Sequence, residues 1–99
     1  MDTISLGDIG TDLQITITED GVIVDVSGAT LLQIELTKPD GTVVLKTASN
    51  VTDGVNGNIH YVGQDGDIDQ RKIWSYIGIV TFSASQKFHS INPKQFEVV

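Results

Sequence analysis

Three aspartates, Asp65, Asp67 and Asp69, alternate along Gly63-Gln64-Asp65-Gly66-Asp67-Ile68-Asp69. Carboxylate oxygens at that spacing in a loop can approach a hard cation such as calcium. The loop does not follow the EF-hand pattern, however. Gln70 stands where the glycine belongs, and the bidentate position falls on Tyr76, which cannot chelate. The residues therefore read as an acidic, solvated turn capped by side-chain-to-backbone hydrogen bonds, and no metal is expected there.

Nucleophilic or acid–base chemistry would need a serine, histidine and carboxylate assembled together. His60 and His89 are the only histidines, each inside a strand-like segment, and Ser83, Ser85 and Ser90 lack a Gly-x-Ser-x-Gly elbow. Gly7-Asp8-Ile9-Gly10 has the glycines of a phosphate loop but no following helix to present its N-terminus to an anion, so it reads as a bend between strands. Tyr61, Trp74, Tyr76, Phe82, Phe88 and Phe96 could build a sugar-binding platform, yet most have the strand parity of core residues. The expectation is a protein with no catalytic residues and no cofactor, that is, not an enzyme.

Charge narrows the partners. The net charge is −7, with 13 acids against 6 basic residues. Residues 1–50 hold eight acids against Lys38 and Lys46 (2 − 8 = −6), leaving −1 for the remainder. Phosphate binding is driven by clustered Lys and Arg, so neither nucleic acid nor an anionic membrane is expected as a partner. Met1 leads into Asp2 and a polar, alternating stretch with no basic n-region or apolar h-region, so no secretory signal is expected. No apolar run approaches the roughly 20 residues of a membrane span. With no cysteine in 99 residues, the core must hold the fold without disulfides, which fits a reducing compartment.

The elements that must position these residues are strands. Leu13, Ile15 and Ile17 alternate with Gln14, Thr16 and Thr18, and Leu32, Ile34 and Leu36 with Gln33, Glu35 and Thr37. That period of two gives each strand one core face and one wet face. Glu19-Asp20-Gly21 and Lys38-Pro39-Asp40-Gly41 are turn sequences, the latter joining strand 30–38 to strand 42–47 as a hairpin. Asp53-Gly54 and Asn56-Gly57 precede a short strand at 59–62. Further strands are expected at 72–83, 87–91 and 95–98, with Asn92-Pro93 breaking the last two apart. Short strands separated by turns in a chain of this length predict one all-β domain over 1–99, an antiparallel β-sandwich of about seven to nine strands, rather than a small barrel.

In order along nearly the whole chain, these pieces resemble the immunoglobulin-like N-terminal domain of phage baseplate upper proteins and related small tail-associated virion proteins. The resemblance rests on Gly7-Asp8-Ile9-Gly10, Glu19-Asp20-Gly21, Val24-Asp25-Val26-Ser27-Gly28-Ala29 and Lys38-Pro39-Asp40-Gly41-Thr42. Asn56-Gly57 before Tyr61, the Gly66-Asp67-Ile68-Asp69 loop, Trp74 and the closing Phe96-Glu97-Val98 continue it. The chain departs from the pattern at Arg71-Lys72-Ile73, where the family often has a glycine before the aromatic.

The resemblance implies an immunoglobulin-like sandwich and a tailed-phage virion structural protein, located in the virion and, during assembly, in the bacterial host cytoplasm. Its partners would be other virion proteins and further copies of itself. The alternative is a non-catalytic binding module for adhesion or carbohydrate. An exposed aromatic pair would favour that alternative, and an open apolar face or strand edge would favour assembly.

One segment points to where contacts could form. In 72–83, Trp74, Tyr76, Val80 and Phe82 share a parity with Gly78, and Ile73, Ile77 and Ile79 lie on the other. Such a strand is central and covered on both sides, or has a bulge near Gly78 that swaps its faces, or leaves a surface patch. Ile73, Ile77 and Ile79 are therefore the candidate interface.

Overall fold

The computed structural model describes residues 2–90 and 93–99, so Ile91 and Asn92, at the end of the expected strand 87–91 and its break, lie outside the described residues. Alternation builds both layers. In β2 (Asp12–Thr16) the side chains of Leu13 and Ile15 are buried while Asp12, Gln14 and Thr16 are exposed. β2 pairs antiparallel with β8 (Asn58–Val62), and β8 pairs with β7 (Ser49–Asn50), giving a three-stranded sheet.

The larger sheet is organised around β9 (Lys72–Ser83), the 12-residue strand expected from the sequence. Along one edge β9 pairs with β5 (Leu31–Thr37), which pairs in turn with β6 (Val43–Thr47). Along the other edge β11 (Lys94–Val98) covers Lys72 to Tyr76 and β10 (Gln86–His89) covers Ile79 to Ser83. β1 (Asp2–Ile4) adds outside β11 as the one parallel pair among the described strands. β3 (Thr18–Glu19) and β4 (Val22–Ile23) form a separate small hairpin. Its loop is Asp20-Gly21, with φ of 52° and 79°, the two positive values of a type I′ turn that a glycine makes inexpensive.

The molecule is thus all-β and a sandwich, as expected, with eleven strands among the described residues where seven to nine were expected. The surplus has a local origin. β2 and β3 are one run interrupted at Ile17, and β6 and β7 are one run that changes sheets at Ala48, so counting runs gives nine (11 − 2). At that change Ala48 N–H still donates to Leu32 of the large sheet, at 2.8 Å, before the chain joins β8.

The sheets meet face to face. Ile17, Ile34, Ile59, Trp74 and Val80 are fully buried between them, with Leu13, Ile15, Leu36 and Phe96 nearly so. Trp74 stacks on Phe96 with ring centroids 5.6 Å apart and donates its Nε1–H to the Gln70 carbonyl at 2.9 Å, so its one polar atom is satisfied. Tyr76 spans the gap, its hydroxyl donating to the Gln14 carbonyl of the opposite sheet at 3.0 Å.

Gly78 sets the spacing. A Cβ there would lie 2.6 Å from Ile17 Cδ1, 2.9 Å from Ile15 Cγ2 and 3.2 Å from Ile59 Cδ1. Those side chains belong to the other layer and are themselves buried, so a methyl group has no free space to enter. The expected alternative of a bulge at Gly78 does not occur. β9 pairs with β5 without a register shift from Leu31↔Thr81 to Thr37↔Ser75, and its two parities keep to their own faces throughout.

Lys72, at the start of β9, has φ of 97°, a region that side chains with a Cβ rarely adopt. This is the segment where the related pattern often carries glycine. Lys72→Gly is expected to stabilise the fold by about 1 kcal/mol, strain relief of about 1–3 kcal/mol being partly offset by the greater freedom of an unfolded glycine. Chemical denaturation checks it, and an unchanged or lower midpoint contradicts it. Trp74→Ala, in contrast, is expected to cost about 3–5 kcal/mol because it leaves a large cavity against Phe96, and a midpoint equal to that of the parent contradicts it.

Candidate interaction surface

The acidic loop is held by cations of the protein itself. Ile68 is buried and anchors the loop, and its carbonyl accepts the Gly7 N–H at 2.9 Å. Asp67 accepts hydrogen bonds from the Tyr61 hydroxyl and, at 2.8 Å, from the Gln64 N–H, while Lys46 Nζ lies 3.1 Å from its other oxygen. Asp69 pairs with Lys38 Nζ at 2.9 Å. Lys38 also lies over the Trp74 ring at 5.7 Å, and Lys46 over the Tyr61 ring at 5.9 Å. Asp65 is exposed. The three carboxylates that could have converged on a cation are thus divided, two of them between separate lysines. Lys38, Lys46, Gly66, Asp67, Leu36, Val44 and Trp74 line a shallow pocket of about 140 Å³ beneath this clasp.

The other candidate chemistry is similarly dispersed. His60 Nδ1 is 2.8 Å from Asp12 Oδ1 on the outer face of the small sheet. Ser49 is its cross-strand neighbour on β7, but no hydrogen bond links Ser49 to the ring. Gln14 Nε2 donates to Asp12 at 2.6 Å, and Thr16 to Asn58, so that face is mostly polar and self-satisfied, with Val62, opposite Asp12, as its exposed apolar residue. His89 stands in β10 on the larger sheet. Ser83 and Ser85 bond to one another at 3.2 Å. Ser90 is buried, and its hydroxyl accepts the Gly78 N–H at 2.9 Å, on the stretch of β9 between the end of β10 at His89 and the start of β11 at Lys94.

The outer face of the large sheet has a different character. Ile73 is 40% exposed there, Ile77 is half-buried and Ile79 is 5% exposed. The register places Ile77 beside Glu35 and Ile79 beside Gln33, so a polar stripe from β5 runs next to the isoleucines. Beyond that stripe, on β6, Val43 and Leu45 are 55% and 54% exposed, and Leu31 of β5 is also exposed. Sequence reasoning named Ile73, Ile77 and Ile79 as candidates and passed over Val43 and Leu45. The available signal was the run Val43-Val44-Leu45, which is apolar on both parities of a strand.

None of the six aromatics is exposed. Trp74, Tyr76 and Phe96 are buried, Tyr61 is half-buried, and Phe82 and Phe88 pack edge to face at 5.8 Å against the core. A stacking platform for sugars has no rings available on this surface.

Against this geometry, a family model described as the BppU N-terminal domain matches residues 3–92. The chain belongs to that family. It is a phage baseplate structural domain, and the family places it in the virion among other virion proteins. No curated protein matches the chain. In this BppU N-terminal domain the aspartate loop is a structural clasp.

The clasp makes stability depend on pH. Burial pushes the Asp67 carboxyl up, but the Tyr61 hydroxyl, the Gln64 N–H and the Lys46 ammonium outweigh it and hold its pKa below the ordinary 3.8. Its contribution is therefore complete above 3.8 and is lost as pH falls through the lower folded value. Burial also pushes the Tyr61 and Tyr76 hydroxyls up from 10.0 to about 12, helped by Asp67 for the first and by Asp2 and Asp12 for the second. Their contribution is complete below pH 10.0 and is lost as pH rises through about 12. Asp67→Asn is expected to cost about 1–2 kcal/mol at neutral pH, to flatten the acid limb and, because Asp67 also helps raise the Tyr61 hydroxyl, to weaken part of the alkaline limb. A denaturation series across pH checks it, and an acid limb unchanged by the substitution contradicts it.

Proposed function

We propose that this BppU N-terminal domain works as an assembly module of a phage baseplate, acting through protein–protein contacts rather than chemistry. Its partners are other virion proteins and further copies of itself, met in the bacterial host cytoplasm as particles form and retained in the virion. The observation that carries the reading is the contrast between the two outer faces. The small sheet turns Asp12, Gln14, Thr16, Asn58 and His60 outward and satisfies them among themselves. The large sheet leaves Leu31, Val43, Leu45 and Ile73 exposed, where the strands of the small sheet expose Val62. Apolar side chains grouped on one face of a folded protein mark contact surfaces. Ile73, Ile77 and Ile79 belong to that face, with Ile73 as its accessible member.

The net charge of −7 supports protein partners over nucleic acid or an anionic membrane. His60, Ser83, Ser85 and Ser90, held in separate structural bonds, support a role without catalysis. Ile73→Lys tests the reading, because a charge at an exposed position disturbs folding little while it disrupts an apolar contact. The variant is expected to melt near the parent yet to be depleted from purified virions when it replaces the parent chain during phage growth. Incorporation equal to that of the parent, with unchanged cross-links to neighbouring proteins, contradicts the use of this face.

A further inference from the structure

We propose that the free edge of β6 pairs antiparallel with the β6 edge of a second copy of this chain, centred on Leu45, so that two large sheets become one. This rests on the assembly reading but adds an occupant and a specific set of backbone atoms.

β6 ends the sheet order and pairs with β5 alone. Lys38 N–H donates to the Thr42 carbonyl at 2.8 Å, and Ala48 N–H donates to the Leu32 carbonyl at 2.8 Å. Between these two bonds the register runs Leu36↔Val44 and Ile34↔Lys46 without a shift. Residues 42, 44, 46 and 48 therefore direct their backbone bonds toward β5, and the N–H and C=O groups of Val43, Leu45 and Thr47 point away from it. Among the described residues nothing pairs with them.

Strand edges are usually guarded by proline, a bulge or an outward charge. β6 has no proline and no register shift. Its single charge, Lys46, is turned toward Asp67 and the Tyr61 ring.

The strand is also complementary to itself. A two-fold axis at Leu45 sets Leu45 opposite its counterpart, Val43 opposite Thr47, and Val44 opposite Lys46. No like charges meet directly, and each of the three hydrogen-bonded pairs exchanges two N–H···O bonds, six in all (3 × 2). On the outer face the two exposed Leu45 become cross-strand neighbours and each exposed Val43 lies diagonal to the other copy's Leu45, extending the apolar surface across the junction. A surface that matches itself under two-fold rotation closes as a dimer and does not propagate as a fibre. The −7 charge on each copy opposes association, so screening salt favours the pair.

Native mass spectrometry and residue-resolved hydrogen exchange across a concentration series test it at physiological ionic strength. A monomer–dimer equilibrium is expected, in which the amides of Val43, Leu45 and Thr47 pass from fast to slow exchange as the dimer forms, while those of Val44 and Lys46 are protected throughout. Leu45→Lys, which sets two ammonium groups face to face, is expected to raise the dimer dissociation constant about tenfold or more and leave thermal melting near that of the parent. A chain that remains monomeric overturns the proposal. So does a dimer whose edge amides exchange freely, or one that Leu45→Lys leaves intact. Each of these three results leaves the assembly reading to the Ile73→Lys incorporation test, which uses the sheet face and not its edge.

Discussion

At Gly78 the two sheets come closer than any side chain would permit, and the rest of the sandwich is arranged around that contact. Ile15, Ile17 and Ile59 of one layer rest where a Cβ of the other would be. On either side along β9, larger groups fill the widening space, Tyr76, Trp74 and Phe96 toward one end and Phe82 with Phe88 toward the other. The same position needs a second accommodation, because β10 ends opposite Ile79 and β11 starts opposite Tyr76, leaving Gly78 between them. Ser90 closes that gap by accepting the Gly78 N–H and donating its own backbone N–H to the Gly78 carbonyl. A buried serine in an all-β core is thus the consequence of an orphan amide, which is costly when left unpaired.

A chain without cysteine has to restrain its loops by other means, and here it uses charge and aromatic rings. The loop from Gly63 to Asp69 is tied to β5's end through Lys38, to β6 through Lys46 and to β8 through Tyr61. Partial burial strengthens these contacts relative to fully exposed ion pairs, because fewer waters compete. The same aspartates that suggest a cation site in the sequence serve to lay this loop over the mouth of the core. Acid and base therefore loosen the clasp by different routes, the first by protonating Asp67 and the second by ionising Tyr61.

The distribution of polarity over the two outer faces then separates what is finished from what is available. Small-sheet side chains bond to each other across β2 and β8. Large-sheet apolar side chains on β6 and β9 have no such partners, and the backbone of β6 has an open edge beside them. An open face and an open edge on the same sheet are suited to a module that is built into a larger particle, since contacts there add strands and apolar layers without rearranging the core.

Much of this was written in the order of residues. Alternation at Leu13–Ile17 and Leu32–Leu36 determined which side chains enter the core, since the period of a strand allows only two directions. Asp20-Gly21 and Lys38-Pro39-Asp40-Gly41 determined two turns through local backbone preference, and the ordered set of turn motifs was enough to indicate the family. Pairing between distant segments was not legible in that way. That β1 runs parallel to β11, that β6 ends the sheet, and that Asp67 and Asp69 meet lysines from β6 and the β5 end all depend on closing long loops, where local sequence carries little information. Gly78 was visible as a glycine in a long strand, but its meaning was decided only when the three isoleucines of the other sheet were brought against it. Ile79 was likewise assigned to the correct parity, yet whether that parity is exposed depends on neighbours in space, which seal Ile79 and leave Ile73, Val43 and Leu45 open.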